Sequence, residues 1–232
     1  MDDFSNVIWR CMEGSQRHLT AGDHRARRYL KGFSPIVAFA DPERPDFAAL
    51  AAVCQPGERF YCSEWVGPVP AGWTLERDAR MLVMPWAGGV APVEDPSLDA
   101  RRLGVEDVPQ MCALAELTRP GPFDVRTIEF GEYFGTFAGD RLVAMAGERM
   151  QDGPLREVSG ICTHPDAQGR GLAGRLTGLV VARELARAET PFLHVVSTNA
   201  RAIALYERLG FTTAREVPVR IVTLDPRPMA AS

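Results

Sequence analysis

The sequence predicts an α/β fold in two units, residues 1–98 and 99–232, and three observations carry the prediction. Apolar and aromatic runs of strand length, among them 36–40, 133–138 and 141–150, are bounded by Gly, Pro and Asp. Leu172, Leu176, Leu179 and Val180 recur at helical spacing. Between the units, Gly88, Gly89, Pro92 and Pro96 interrupt residues 86–96 and break any regular pattern. With 232 residues, 46% hydrophobic and 24% charged, the chain has enough apolar material for a packed core.

The elements follow in chain order. Residues 36–40 and 59–62 read as short strands, and Asp46 stands as N-cap of a helix from Phe47 to about Val53. Pro68, Pro70 and Gly72 turn the chain into a strand over about 73–84. This first unit has no glycine-rich loop and no cluster of polar residues, so it reads as a supporting or substrate-shaping domain. In the second unit, Asp107 caps a helix through Met111, Leu114 and Leu117 that Pro120, Gly121 and Pro122 end. Strands at 133–138 and 141–150 are joined by Gly139-Asp140, a two-residue loop suited to a hairpin. A strand at 157–163, a glycine-rich turn and an amphipathic helix over about 171–188 come next, and Pro191 marks the helix end. A strand at 192–197 leads to Asn199 as N-cap, a helix over 200–209, Gly210 just past its end and a final strand at 220–224.

Composition excludes several classes. The net charge is −4, and it falls within the first 100 residues, which does not suit a nucleic-acid binder. No run approaches the roughly 20 apolar residues that span a bilayer, and the acidic start Met1-Asp2-Asp3 does not resemble a secretory signal, so a cytoplasmic protein is expected. Five cysteines without a C-x-x-C pair fit reduced thiols. The four histidines lack zinc-ligand spacing, so no metal is expected.

The informative segment is Gln168-Gly169-Arg170-Gly171-Leu172-Ala173-Gly174, where a strand end, a glycine-rich turn and a helix start succeed one another. Free N–H groups of a first helical turn, at the positive end of the helix dipole, hold a diphosphate if no side chain blocks the approach. Gly169, Gly171, Ala173 and Gly174 keep that surface bare. The same letters satisfy the dinucleotide fingerprint G-x-G-x-x-G. A Rossmann domain needs an acidic residue about 20 positions on, however, and the next strand ends Val195-Val196-Ser197-Thr198-Asn199. Too little chain follows the long helix to complete such a fold.

Here the sequence resembles the GCN5-related N-acetyltransferase (GNAT) superfamily. Its pattern Q/R-x-x-G-x-G/A is met by Gln168 to Ala173, and its later motif is similar to the stretch from Asn199 through Tyr206 to Phe211. The wording from Val158 to Pro165 resembles the FR47-like branch. The resemblance covers about residues 100–225. It implies a mixed, mostly antiparallel sheet flanked by helices, preceded by the smaller α/β unit, itself an independent domain or a degenerate half of the same fold. It also implies acyl transfer from acetyl-CoA to a small-molecule or peptide amine in a ternary complex, with neither nucleic acid nor membrane as partner.

Site roles follow from the resemblance. The strands at 157–163 and 192–197 would diverge, and pantetheine would pair with the exposed backbone around Ile161, Cys162 and Thr163 as an added strand does. Gln168, Gly169, Arg170, Gly171, Leu172 and Ala173, with Gly174 beside them, would hold the pyrophosphate. Asn199 would reach the pantetheine or cap its helix. The Tyr206 hydroxyl would protonate the departing thiolate. Glu157 is the first candidate for the base, with its pKa expected to be raised in a dry slot; Glu148 and His194 follow. Many relatives carry an acid where this chain has Ser159 and Gly160. That departure leaves a non-catalytic acyl-CoA-binding module as the rival reading. Cys162, without an evident base partner, reads as core.

Overall fold

The computed structural model describes residues 4–89, Asp95 and residues 97–226. Pro92 and Pro96, part of the expected break, lie outside the described residues. Helix α1 (Val7–Glu13) precedes strands β1 (Thr20–Gly22), β2 (Ala26–Tyr29) and β3 (Ile36–Phe39). Next come α2 (Phe47–Ala51), β4 (Arg59–Ser63), β5 (Trp73–Pro85), β6 (Ala100–Arg102) and α3 (Val108–Thr118). The chain continues through β7 (Tyr133–Ala138), β8 (Arg141–Asp152), β9 (Leu155–Thr163) and α4 (Leu172–Ala186). It ends with β10 (Thr190–Val196), α5 (Ala200–Arg208) and β11 (Arg215–Leu224).

Local chemistry explains these elements. Asp46 accepts the Ala49 N–H at 2.8 Å and starts α2, and Asn199 accepts the Ala202 N–H at 3.2 Å and starts α5. Asp107 stands at the α3 N-cap but spends its carboxylate elsewhere, on the Arg101 guanidinium and the Gly104 N–H. Leu117, expected on the inner face of α3, points outward. Helix α1 and strands β1 and β2 were not legible in the sequence. The strand Ala26-Arg27-Arg28-Tyr29 is buried throughout, with Arg27 paired to Glu13 and Arg28 to Glu58, so no alternation of polar and apolar residues marks it.

The described strands form one sheet in the order β1-β2-β3-β4-β11-β5-β10-β9-β8-β7-β6. Only the pairs β3–β4 and β9–β10 run parallel. The expected mixed, mostly antiparallel sheet is therefore observed, and it crosses the expected division at residue 98 without interruption. The order also repeats itself in mirror fashion. Three antiparallel strands in the first half (β1–β3) and four in the second (β6–β9) lead into a parallel pair, and the outer strand of each pair takes an antiparallel partner from the other half. Strand β11 closes on β4, and β5 closes on β10.

On one face, α1 packs with Tyr29, Phe33, Phe130, Met150 and Phe192. On the other, α4 contributes Leu172, Leu176 and Val180 to a cluster with Leu193, Val195, Tyr206 and Phe211. Among the described residues no helix is long and apolar enough to cross a membrane.

Candidate active site

Strands β9 and β10 pair at Thr190↔Leu155, Pro191↔Arg156 and Phe192↔Glu157, and then separate. A bulge drives β9 away. On β8 the single residue Ala146 separates Met145 from Gly147, whereas Gly160 and Ile161 separate their partners Cys162 and Ser159 on β9. Gly160 sits at φ +63°, and a Cβ there would meet the Tyr133 ring at 2.8 Å, so the position requires glycine and has no room for an acidic side chain. The separation opens a cavity of about 680 Å³ lined by residues 158–163 of β9 and by His194, Val195 and Val196 of β10.

The glycine-rich loop closes one end of this cavity. Gly169 and Gly171 have φ of +78° and +73°, and nothing stands within 4 Å of where their side chains would be. The first α4 backbone bond runs from the Arg175 N–H to the Gly171 carbonyl at 3.1 Å, leaving the N–H groups of Leu172, Ala173 and Gly174 outside the ladder. Bare glycines, free donors and the positive helix end form an anion cradle. Gln168, Leu172, Ala173 and Gly174 line the cavity with the two glycines. Arg170 is exposed and outside this lining, while Arg201 and Arg208 of α5 are part of it. Their separation of seven residues on one helix face is the sequence signal for them.

Asn199 caps α5 through Oδ1 and also lines the cavity, so its two expected roles are compatible. Tyr206 is 8% exposed and lines the cavity, with its hydroxyl pushed up to about 12 by burial and then by Cys162. Such a phenol keeps its proton at neutral pH. Cys162 is buried, and burial raises its thiol to about 12, which suits core and not a nucleophile.

The expectation of a raised Glu157 pKa is overturned. Glu157 is fully buried, and desolvation alone would raise it. Arg149, 2.8 and 2.7 Å from its two oxygens, and His194, whose Nδ1 is 2.6 Å from Oε1, outweigh burial and hold the carboxyl at about 2. Residues 158–163 of β9 line the cavity, and Glu157, where β9 still pairs with β10, does not. Glu148, the second candidate, is buried away from the cavity, against Arg187 and 3.9 Å from Arg156. His194 and Arg149 both touch the cavity.

Thr118, Arg119, Pro120, Gly121 and Pro122, in the turn after α3, also line the cavity. The first half adds Tyr61 of β4 with Arg77, Ala79 and Met81 of β5.

The profile of the FR47-like protein family matches residues 133–220. A solved acetyltransferase of the GNAT family from Novosphingobium aromaticivorans is 37% identical over 95% of this chain and 98% of its own, with a TM-score of 0.86. A GCN5-related N-acetyltransferase-like protein from Streptococcus suis, 15% identical over 94% of this chain and 93% of its own, gives 0.63. A GCN5-related N-acetyltransferase from Kribbella flavida, 16% identical over 96% and 94%, gives 0.57. The latter two show the shared fold alone. No curated protein matches the chain in sequence. The chain belongs to the GNAT family. Within it, the matched segment places the chain in the FR47-like branch.

Proposed function

We propose that this protein transfers an acetyl group from acetyl-CoA to the amine of a small molecule or peptide, by direct attack in a ternary complex. The observation that carries the reading is the separation of β9 from β10 beyond Glu157 and Phe192, opening onto the bare loop from Gly169 to Gly174. A slot with an unpaired strand edge suits the amides of pantetheine, and the donor cradle suits a pyrophosphate. Acetyl-CoA supplies the activated acyl group as a thioester.

The chain's own residues do the rest. The β9 edge at Ile161, Cys162 and Thr163 orients the pantetheine arm. Gln168 and the loop N–H groups hold the phosphates, and Arg170, Arg201 and Arg208 add positive charge. Tyr206 delivers its proton to the departing sulfur. Protonated and buried, the Cys162 thiol does not compete as an acyl acceptor. The first half serves as a degenerate copy of the fold whose strands β4 and β5 shape the acceptor end.

Calorimetry with CoA and acetyl-CoA, followed by thiol release with a panel of amines, tests the reading. Binding with turnover supports the enzyme, binding without turnover supports the acyl-CoA-binding module, and absence of binding overturns both.

A further inference from the structure

We propose that His194 is the base of this reaction, taking the acceptor ammonium proton on Nε2, with Glu157 and Arg149 as the residues that position it. The proposal rests on the acetyl-transfer reading and adds a catalytic residue to it. Glu157 has no free capacity of its own. Arg149 Nε donates to Oε2 at 2.8 Å and Arg149 Nη2 to Oε1 at 2.7 Å, while His194 Nδ1 lies 2.6 Å from the same Oε1. A carboxylate in this clamp is ionised and only accepts hydrogen bonds, so Nδ1 must carry the ring proton. The lone pair then resides on Nε2. Among the described residues Nε2 has no partner, and His194 is the imidazole that lines the cavity. An ammonium bound at the acceptor end thus meets an acceptor whose tautomer is already set.

The side of approach agrees. His194 shares its sheet face with Phe192, the rings 5.6 Å apart, whereas Leu193 and Val195 pack with Tyr206 on the other. Base and acid therefore flank the slot from opposite faces. Arg149 offsets the Glu157 charge, so the imidazole faces a hydrogen-bond acceptor and not an uncompensated anion. Behind the pair, Cys11 of α1, Tyr29 of β2 and Tyr133 of β7 are kept neutral by burial. Tyr61 and Arg77 line the same cavity.

The step balances as follows. One ammonium N–H bond breaks and its proton moves to Nε2, and the freed electron pair forms the C–N bond as the C–S pair leaves on sulfur. Tyr206 gives its proton to sulfur and regains one from the new amide nitrogen. His194 returns its proton to water, so the net release is one proton.

Two measurements test the proposal. Histidine ¹⁵N NMR of the CoA-bound protein should show His194 protonated on Nδ1 with Nε2 bare; the opposite tautomer overturns the proposal whatever the turnover. His194→Gln should remain folded and keep its CoA affinity, and lose about 100-fold in kcat/KM. Its pH profile should lose the histidine limb and follow the pKa of whichever of two amines is used. Glu157→Gln should weaken the Nδ1–H signature and displace that limb; should this variant fail to fold, the parent tautomer and His194→Gln decide. Undiminished turnover with an unchanged profile in His194→Gln overturns the base and leaves the acetyl-transfer reading standing. Absence of turnover by the CoA-bound parent overturns that reading and the base with it.

Discussion

His194 and Tyr206 enter one cavity from opposite faces of the sheet, the first from the side of Phe192 and the second from the side of α4 and α5. This is possible only because β9 leaves β10 after a short parallel pairing. A continuous ladder would separate the two faces with backbone. The opening therefore lets two polar side chains from opposite faces of the sheet reach one cavity.

The cradle depends on two backbone positions. Gly171→Glu places a side chain at φ +73° and a negative charge where phosphates are to bind. CoA affinity should fall by at least about 100-fold, since a repelling charge adds to the lost donors at the helix end. Calorimetry checks this, and unchanged affinity would remove the loop from the site.

Tyr206→Phe keeps the ring that packs against Phe211 at 6.1 Å and removes only the hydroxyl. Proton delivery to sulfur is needed in the transition state and not for binding. The expected result is a drop in kcat of about 10-fold or more with CoA affinity nearly intact. A kcat equal to the parent's would make the tyrosine structural.

Arg201 and Arg208 line the cavity, and among the described residues neither meets a carboxylate. Replacing both with Ala should weaken CoA by about 10-fold at low ionic strength and flatten the dependence of its affinity on salt, because exposed charges are screened. Titrations at low and high salt measure both effects.

Two buried glutamates predict opposite pH dependences of stability. Glu157 is held at about 2 despite its burial, so the native state favours the ionised form. The stability it contributes is present above the unfolded value near 4.3 and is lost as pH falls towards 2. Glu184 of α4 is buried with neither oxygen bonded, and desolvation, aided by Glu148 and Glu189, raises its pKa well above the usual range. Its contribution is complete below about 4.3 and is lost as pH rises through the native value. Glu184→Gln should match the parent at pH 4 and exceed it increasingly above, by up to about 1.4 kcal/mol per pH unit. Denaturant melts across pH provide the comparison; a constant difference would contradict it.

The second half was largely readable because its signals are local. A glycine-rich turn, a cap at Asn199 and the spacing of Leu172, Leu176 and Val180 each specify structure within a few residues. The Gly139-Asp140 hairpin is of the same kind. What escaped depends on distant partners. Nothing local pairs Arg149 with Glu157 until β8 lies beside β9, and Glu157 reads as a desolvated base with a raised pKa until Arg149 and His194 close on it. Arg27 and Arg28 hid β2 because their charges are neutralised by Glu13 and Glu58, far off in sequence. The exchange of β5 and β11 leaves no mark in local pattern at all.

That exchange ties the manufacture of the two halves together. While the chain is being synthesised, β4 emerges long before β11 exists to cover it, and it must wait with its edge open until the last strand arrives. Residues 99–226 expressed alone would lack β5 and leave the outer edge of β10 bare, inviting association with other chains. Neither piece is a self-sufficient folding unit, and refolding should be slow because the closing pairs join the most distant segments. Two separately produced fragments, split within the stretch after Pro85, should instead complement each other when mixed, each contributing the strand that the other is missing.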